Sequence, residues 1–282
     1  MAESSKRATC EICSHRCSLV EGAVGRCRAR VARGGEVVAA NYGKVTSVAL
    51  DPIEKKPLLR YHPGSTVLSI GSFGCNLSCP FCQNASIAQA GERDVGWREV
   101  SPEWLISKAL ELCESGCIGI AYTYNEPLVG FEFVRDCAHL AHDAGLQNVL
   151  VSNGMVNEGP LQELAPFIDA ANIDLKGFSQ EFYDIVGGDY STVRATIEHL
   201  ALLPTCHLEV TTLAIPDLND DPDAAGEAAR WLSSLDPAIT YHLTRFFPQH
   251  RMTDRPPTPI STLRKMAESA RRYLDDVVLG NC

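Results

Sequence analysis

Apolar strand-like segments alternate with helix-like segments from residue 66 onward, and this alternation limits the fold more than any other feature of the chain. The strand-like segments are apolar throughout, as expected of parallel strands covered by helices. Ser101, with Pro102 at the first helical position, predicts the start of one helix. The strand-like segments span residues 67–70, 118–121, 148–151, 170–175, 207–213, 239–246 and 277–279, and further helix-like segments lie at about 129–144, 157–165, 190–203, 222–235 and 261–274. The β-α order repeats at least six times, which predicts an α/β fold built as a partial (β/α)6 TIM-type barrel.

The first 62 residues follow a different pattern and predict a small Cys-rich N-terminal extension. Residues 1–33 hold four cysteines and six arginines and show little apolar periodicity. Short strands are expected at residues 36–40 and 45–50, and Pro52, Pro57 and Pro63 interrupt the segment that follows. We therefore divide the chain into the extension, residues 1–62, and the core barrel, residues 63–282.

The composition of the 282-residue chain restricts its partners and its location. The net charge is −10 and no basic run is present, so nucleic acid is not an expected partner. No run of 18 apolar residues occurs, so no membrane span is expected, and residues 1–7 lead into no apolar segment of a signal peptide. These features predict a cytoplasmic protein, in which twelve cysteines are metal ligands and buried thiols rather than disulfides.

Cys75, Cys79 and Cys82 directly follow the first strand of the core, with the spacing C-x3-C-x2-C. Soft thiolates select zinc or iron–sulfur clusters. Electron-transfer clusters use four cysteines, whereas three thiolates can hold three irons of a [4Fe–4S] cubane and leave the fourth open to a substrate. The loop after a barrel strand is also where barrel active sites lie. The alternatives are a zinc knuckle with a ligand from elsewhere, or three core thiols.

Cys10, Cys13, Cys17 and Cys27 form a second cysteine group, with the spacing C-x2-C-x3-C-x9-C. Four soft ligands this close in sequence can form a closed tetrahedral site. The segment is too polar to fold by burying apolar area, so a metal would supply its stability. A structural zinc ion and an auxiliary iron–sulfur cluster are both open interpretations, and four free thiols are the alternative.

Five short motifs together point to one family. They are DPIEKKP at residues 51–57, GCN at 74–76, CQN at 82–84, YNEP at 124–127 and HLTRFFP at 242–248. This combination resembles the AmmeMemoRadiSam-system radical S-adenosylmethionine (SAM) family, which is related to pyruvate formate-lyase activating enzymes. The resemblance extends from Cys10 to Asn281. It implies a [4Fe–4S] cluster whose open iron binds SAM, and one-electron cleavage of SAM to a 5′-deoxyadenosyl radical.

The resemblance also implies a SAM site at the ends of the second and third strands. Glu126 lies where activating enzymes carry a Gly-Gly-Glu-Pro stretch, and it would accept a hydrogen bond from the SAM ammonium. Tyr124 and Asn125 stand in place of the two glycines, and Asn125 remains next to the cofactor. Ser152 and Asn153 end the third strand, where Asn153 would bond the ribose or the carboxylate of SAM.

Five further side chains complete the predicted cofactor site. Asp174 and Lys176 lie on one face of the fourth strand, where Lys176 suits the SAM carboxylate, and a structural ion pair is the alternative. Arg245 would pair with a carboxylate of SAM or substrate, whereas a strand histidine such as His242 is more often a satisfied core residue. Alternation places these two on opposite faces of their strand. Phe81 would pack near the adenine or over the cluster.

These features predict an enzyme that cleaves SAM reductively and uses the radical to abstract hydrogen from an unidentified substrate, either a small molecule or a protein. The resemblance implies a one-electron donor such as flavodoxin or ferredoxin. One alternative is an activating enzyme that installs a glycyl radical on a protein partner. Another is a metal-binding scaffold or electron carrier that does not cleave SAM. No residue is assigned a catalytic role toward the substrate.

Overall fold

The computed structural model describes residues 6–282, so the first five residues of the predicted extension lie outside the described residues. The strands are β1 Arg7–Thr9, β2 Ser18–Val20, β3 Arg30–Arg33, β4 Glu36–Ala39, β5 Lys44–Val45, β6 Ser47–Pro52, β7 Thr66–Gly71, β8 Arg98–Glu99, β9 Cys117–Tyr122, β10 Gln147–Ser152, β11 Ala170–Asp174, β12 His207–Ala214, β13 Thr240–Arg245 and β14 Val277–Gly280. The helices are α1 Ala85–Ala88, α2 Pro102–Glu111, α3 Phe131–Asp143, α4 Glu158–Leu164, α5 Gln180–Val186, α6 Tyr190–Ala201, α7 Pro222–Leu235 and α8 Ile260–Ala270.

An eight-stranded sheet forms the centre of the molecule, in the order β14-β13-β12-β11-β10-β9-β7-β6. Neighbouring strands are parallel from β7 to β14, because a helix returns the chain after each strand, and only β6 pairs antiparallel. The edge strands β6 and β14 do not pair with each other in the described residues, so the sheet is open. The α/β fold with a parallel sheet is confirmed, and the open sheet is consistent with the predicted partial barrel.

Four of the helices, α2, α5, α6 and α7, begin at a residue whose side chain accepts a hydrogen bond from the first turn. The Ser101 hydroxyl accepts a hydrogen bond from the Trp104 amide at 3.2 Å, which starts α2 as predicted. Helix α5, which precedes α6 in the connection between β11 and β12, was not predicted. It is bounded by Ser179 as N-cap and by Gly187 with a φ of 71°.

Residues 53–60, called here the floor segment, close the interior of the sheet toward the amino ends of the strands. Ile53 and Leu58 are fully buried and pack against small or branched side chains of the inner face, such as Val67 and Ala170. The Glu209 carboxylate of β12 accepts hydrogen bonds from the Leu59 and Arg60 amides, at 3.1 and 2.8 Å. The interior is therefore filled at one end and open at the other.

The N-terminal extension packs on the open end as short hairpins. Strand β1 pairs with β2 and β3 with β4, both antiparallel. Strand β6 lies within the predicted extension, yet it forms the edge of the main sheet beside β7. Among the helices of residues 6–282, none has the length and apolar character needed to cross a bilayer.

Candidate active site

The cluster loop, residues 72–84, leaves the carboxyl end of β7 and carries Cys75, Cys79 and Cys82. Gly74 has a φ of 90°, and a Cβ there would lie 2.5 Å from the Cys27 carbonyl oxygen, so this turn requires glycine. The Cys75 amide donates to the same carbonyl at 3.1 Å. Burial raises the pKa of the Cys79 thiol to about 12, so a bound metal would have to displace its proton.

The three cysteines line a cavity of about 300 Å³ at the carboxyl ends of the parallel strands. Seven of the nine side chains predicted to bind the cofactor line the same cavity, namely Phe81, Asn125, Glu126, Ser152, Asn153, Asp174 and Lys176. Residues that the sequence did not indicate also line it, namely Pro57, Tyr124, Thr211, Leu213, Thr244 and Asn281. The Thr211 hydroxyl is buried there without a hydrogen-bond partner. Thr211 and Thr244 could have been found from the same inward alternation that selected Asp174.

Glu126 is almost completely buried at the end of β9 and is held by neutral donors. Its carboxylate accepts from the Ser152 hydroxyl at 2.9 Å, the Asn153 amide at 2.8 Å and the Leu128 amide at 3.0 Å. Burial raises the pKa of Glu126 to about 7, despite these hydrogen bonds. A cationic ligand in the cavity would favour the ionised carboxylate.

The side chains of Asn153 and Asn125 form hydrogen bonds with the cluster loop. The Asn153 side-chain amide donates to Asn76 Oδ1 at 2.8 Å and approaches Cys75 Sγ at 3.6 Å. The Asn125 side chain accepts from the Ser72 amide at 2.9 Å and donates to the Gly74 carbonyl at 2.9 Å. Both side chains therefore position the cysteines, a role that the sequence pattern did not indicate.

Lys176 and Asp174 form an ion pair of 2.7 Å at the end of β11. Burial alone would lower the pKa of Lys176, but the Asp174 carboxylate and the nearby Cys79 outweigh it and raise that pKa. The pair faces the cavity and remains partly exposed, with 19% and 31% of the lysine and aspartate side chains accessible. An anionic group in the cavity can therefore reach the ammonium.

Tyr124 lines the cavity at the open end of the sheet, and its side chain contacts the floor segment. Its φ of 71° is a left-handed conformation, which is unusual for a residue other than glycine. Its hydroxyl donates to the Asp51 carboxylate, which also accepts from Lys56 Nζ at 2.8 Å. Lys56 Nζ lies 4.6 Å from the centre of the Tyr124 ring. The sequence analysis missed this buried group, since the DPIEKKP motif gave no role to Asp51 or Lys56.

In residues 6–282, His242 and Arg245 do not line the cavity, so the geometry does not support their prediction as cofactor-binding residues. His242 is buried below it and pairs with the Glu209 carboxylate. Arg245 Nε donates to the Thr258 carbonyl at 2.8 Å, and its guanidinium lies 4.9 Å from the centre of the Phe247 ring. Their partners are supplied by the protein itself, so their roles are structural.

The second cysteine group lies directly behind the cluster loop. Cys10, Cys13, Cys17 and Cys27 line one small cavity. In residues 6–282, no three or more His, Cys, Asp or Glu side chains stand as a ready metal-coordinating group, and this includes both cysteine groups. The cysteines of each group nevertheless surround a single space.

The comparison with known families decides the class of protein. The model of the Radical SAM superfamily matches residues 69–229, which contain the cluster loop and the ends of β9, β10 and β11. The chain belongs to the Radical SAM superfamily. Membership supports an enzyme rather than a scaffold or electron carrier, and it implies a [4Fe–4S] cluster, SAM, a reductant and a substrate.

Individual relatives agree with this assignment. The uncharacterized protein MJ0808 of Methanocaldococcus jannaschii is 38% identical over 98% of this chain and 81% of its own length. A putative glycyl-radical enzyme activating enzyme of the same organism, MJ1227, is 23% identical over 77% of this chain and 90% of its own length. The crystal structure of Streptococcus suis SuiB has a TM-score of 0.60 at 11% identity, over 77% of this chain and 51% of that chain, and it shares the fold.

Proposed function

We propose that Cys75, Cys79 and Cys82 hold the [4Fe–4S] cluster and that SAM binds beside it in the cavity. When bound, the cluster supplies the electron that cleaves SAM to methionine and a 5′-deoxyadenosyl radical, which abstracts hydrogen from an unidentified substrate. The observation that carries the proposal is the meeting of three thiols, a buried carboxylate and a lysine–aspartate pair around one space of about 300 Å³.

The donor set fits the two polar ends of the methionine part of SAM. Glu126 offers a buried carboxylate to an ammonium group. Lys176 offers a charged ammonium to a carboxylate, and Asp174 keeps that lysine protonated and oriented. Phe81 lies buried between two of the cysteines in sequence and lines the same cavity, where an adenine could pack on its ring.

Anaerobic reconstitution with iron and sulfide tests the proposal. The reconstituted protein, given dithionite and SAM, is expected to release 5′-deoxyadenosine and methionine. Cys79→Ala is expected to abolish this reaction, whereas Cys113→Ala removes an exposed thiol outside the cavity and serves as the matched control. An intact cluster in the wild-type protein with no SAM turnover would contradict the proposal.

The proposal extends to the AmmeMemoRadiSam-system group, to flavodoxin or ferredoxin as electron donor, and to the cytoplasm as location. The supporting features are the five motifs and the twelve unpaired cysteines, which suit a reducing compartment. Exchange of dithionite for reduced flavodoxin or ferredoxin in the same assay tests the donor.

A glycyl-radical activating enzyme is the second candidate. The similarity to MJ1227 over 77% of this chain favours it, whereas Tyr124 and Asn125 differ from the Gly-Gly pair of activating enzymes. Electron paramagnetic resonance on a co-expressed candidate partner would show a glycyl radical only if this second function is correct.

A further inference from the structure

The N-terminal cysteines are held together by the backbone around them. Cys10 and Cys17 flank the turn of the β1–β2 hairpin, and the Cys10 amide donates to the Cys17 carbonyl at 3.0 Å. Cys13 lies inside that turn, and Cys27 precedes β3. The four side chains line one cavity of about 10 Å³. The chain fold alone therefore brings residues of two separate turns to the same space.

Arg30 supplies an independent sign of an anionic occupant. Its side chain lines the same cavity and is only 6% exposed. Its two terminal nitrogens bond the Glu132 carboxylate at 2.6 and 2.8 Å, but Nε is buried without a hydrogen-bond partner among residues 6–282. A buried N–H that lacks an acceptor destabilises the folded state. A metal-bound thiolate sulfur would accept from this Nε–H.

The volume of the cavity at the four N-terminal cysteines distinguishes one bound metal ion from an iron–sulfur cluster. About 10 Å³ corresponds to roughly one water-sized sphere, whereas the cavity beside Cys75, Cys79 and Cys82 measures about 300 Å³. One ion at the centre of four thiolates is compatible with the smaller space. An eight-atom cubane core does not fit it.

His15 also borders the cavity, but its ring is already engaged. His15 Nε2 hydrogen-bonds the Asn76 carbonyl oxygen at 2.8 Å. The same face of the extension contacts the cluster loop through the Cys27 carbonyl and the Cys75 amide, at 3.1 Å. The four thiols suffice as ligands of a closed tetrahedral site, and the segment that carries them supports the cluster loop from behind.

We propose that Cys10, Cys13, Cys17 and Cys27 bind one Zn²⁺ as a closed tetrahedral site that braces the cluster loop. Binding releases the four thiol protons to solvent and gives a four-thiolate complex with two negative charges. Arg30 Nε donates to one of its sulfurs. This site involves no redox step and is independent of SAM cleavage.

Metal analysis of the full-length, anaerobically purified and iron-reconstituted protein tests the proposal. One zinc and four irons per chain are expected, with four Zn–S distances of about 2.3 Å from X-ray absorption at the zinc edge. The Cys75→Ser/Cys79→Ser/Cys82→Ser variant is expected to lose iron and keep zinc. The Cys10→Ser/Cys13→Ser variant is expected to lose zinc, and Cys113→Ser should keep both metals.

The metal content and the zinc-edge X-ray absorption spectrum of the wild-type protein test the zinc site even if the Cys10→Ser/Cys13→Ser variant does not fold. Five or eight irons per chain without zinc, or zinc bound by nitrogen or oxygen, would overturn the proposal. Arg30→Lys retains a charge near Glu132 but removes the Nε–H, so zinc loss to a chelator should become about tenfold faster. Arg33→Lys, at an exposed position of β3, is the matched control and should leave that rate unchanged.

Discussion

Two buried glutamates, Glu209 on β12 and Glu126 in the loop after β9, differ in the groups that surround their carboxylates. Glu209, at the filled end, accepts from the Leu59 and Arg60 amides and from two histidines. Burial alone would raise the pKa of Glu209, but these donors outweigh it and lower the pKa to about 2. Glu126, at the open end, has only neutral donors, and burial raises its pKa to about 7.

The difference shows how a structural carboxylate is distinguished from a binding one. Groups of the protein itself stabilise Glu209 as an anion, so no ligand is needed to balance its charge. Glu126 has no cationic partner among residues 6–282 and borders the cavity, so its charge is best stabilised by a ligand. A buried carboxylate that borders a cavity and lacks a cationic partner in the described residues is therefore a better candidate for ligand binding than one whose charge the fold compensates.

The largest expected effect is on stability, at the filled end. Glu209→Ala leaves His242 and the Leu59 and Arg60 amides without their acceptor, so the free energy of unfolding should fall by about 3 to 5 kcal/mol. Urea unfolding at constant metal content measures it. Glu227→Ala, in an exposed helical pair, should change this free energy by less than about 0.5 kcal/mol. Equal stabilities of the two variants would show that Glu209 does not anchor the floor segment.

The pH dependence of unfolding gives the next largest effect. The folded-state pKa of Glu209 lies below its ordinary value, so its contribution is present above about pH 4.5 and is lost as the pH falls toward 2. Over that window the loss should reach about 3 kcal/mol. Unfolding curves of the wild-type protein and Glu209→Gln between pH 5 and 3 measure it. The variant should show the shallower pH dependence, and parallel curves would contradict this account.

At the open end the expected effect is on binding rather than on stability. Glu126→Gln removes the negative charge offered to the SAM ammonium, so SAM affinity should fall about 10- to 100-fold. The free energy of unfolding should change little, because the neutral amide avoids the burial penalty of a carboxylate but turns its NH2 toward one of the three donors. Calorimetric SAM titration and urea unfolding measure the two quantities. A variant that unfolds more easily but binds SAM normally would make Glu126 structural, like Glu209.

The sequence predicted the parts of the molecule that depend on local patterns. All seven core strands were found because each is a short apolar run, and the cluster loop was found because its three cysteines are close in sequence. The contacts between Glu209 and residues 59 and 60 span about 150 positions, and no local pattern reports them. For the same reason the partners of His242 and the role of Lys56 could be assigned only from the structure.

The smallest expected effect concerns Tyr124, which contacts both ends. Tyr124→Phe keeps the ring beside Lys56 but removes the hydroxyl that donates to Asp51, so the free energy of unfolding should fall by about 1.5 kcal/mol. Tyr42→Phe removes a comparable hydroxyl–aspartate bond at a more exposed site and should cost less.

Calorimetry on the Tyr124→Phe variant shows whether the two ends act separately. Its backbone stays in place as long as the ring packs on Lys56, so SAM affinity should change less than threefold. If SAM affinity falls as far as in Glu126→Gln, the hydroxyl bond to Asp51 sets the position of Glu126. The floor segment would then act on the cofactor site through the Tyr124 backbone, and the division between a structural and a binding end would not hold.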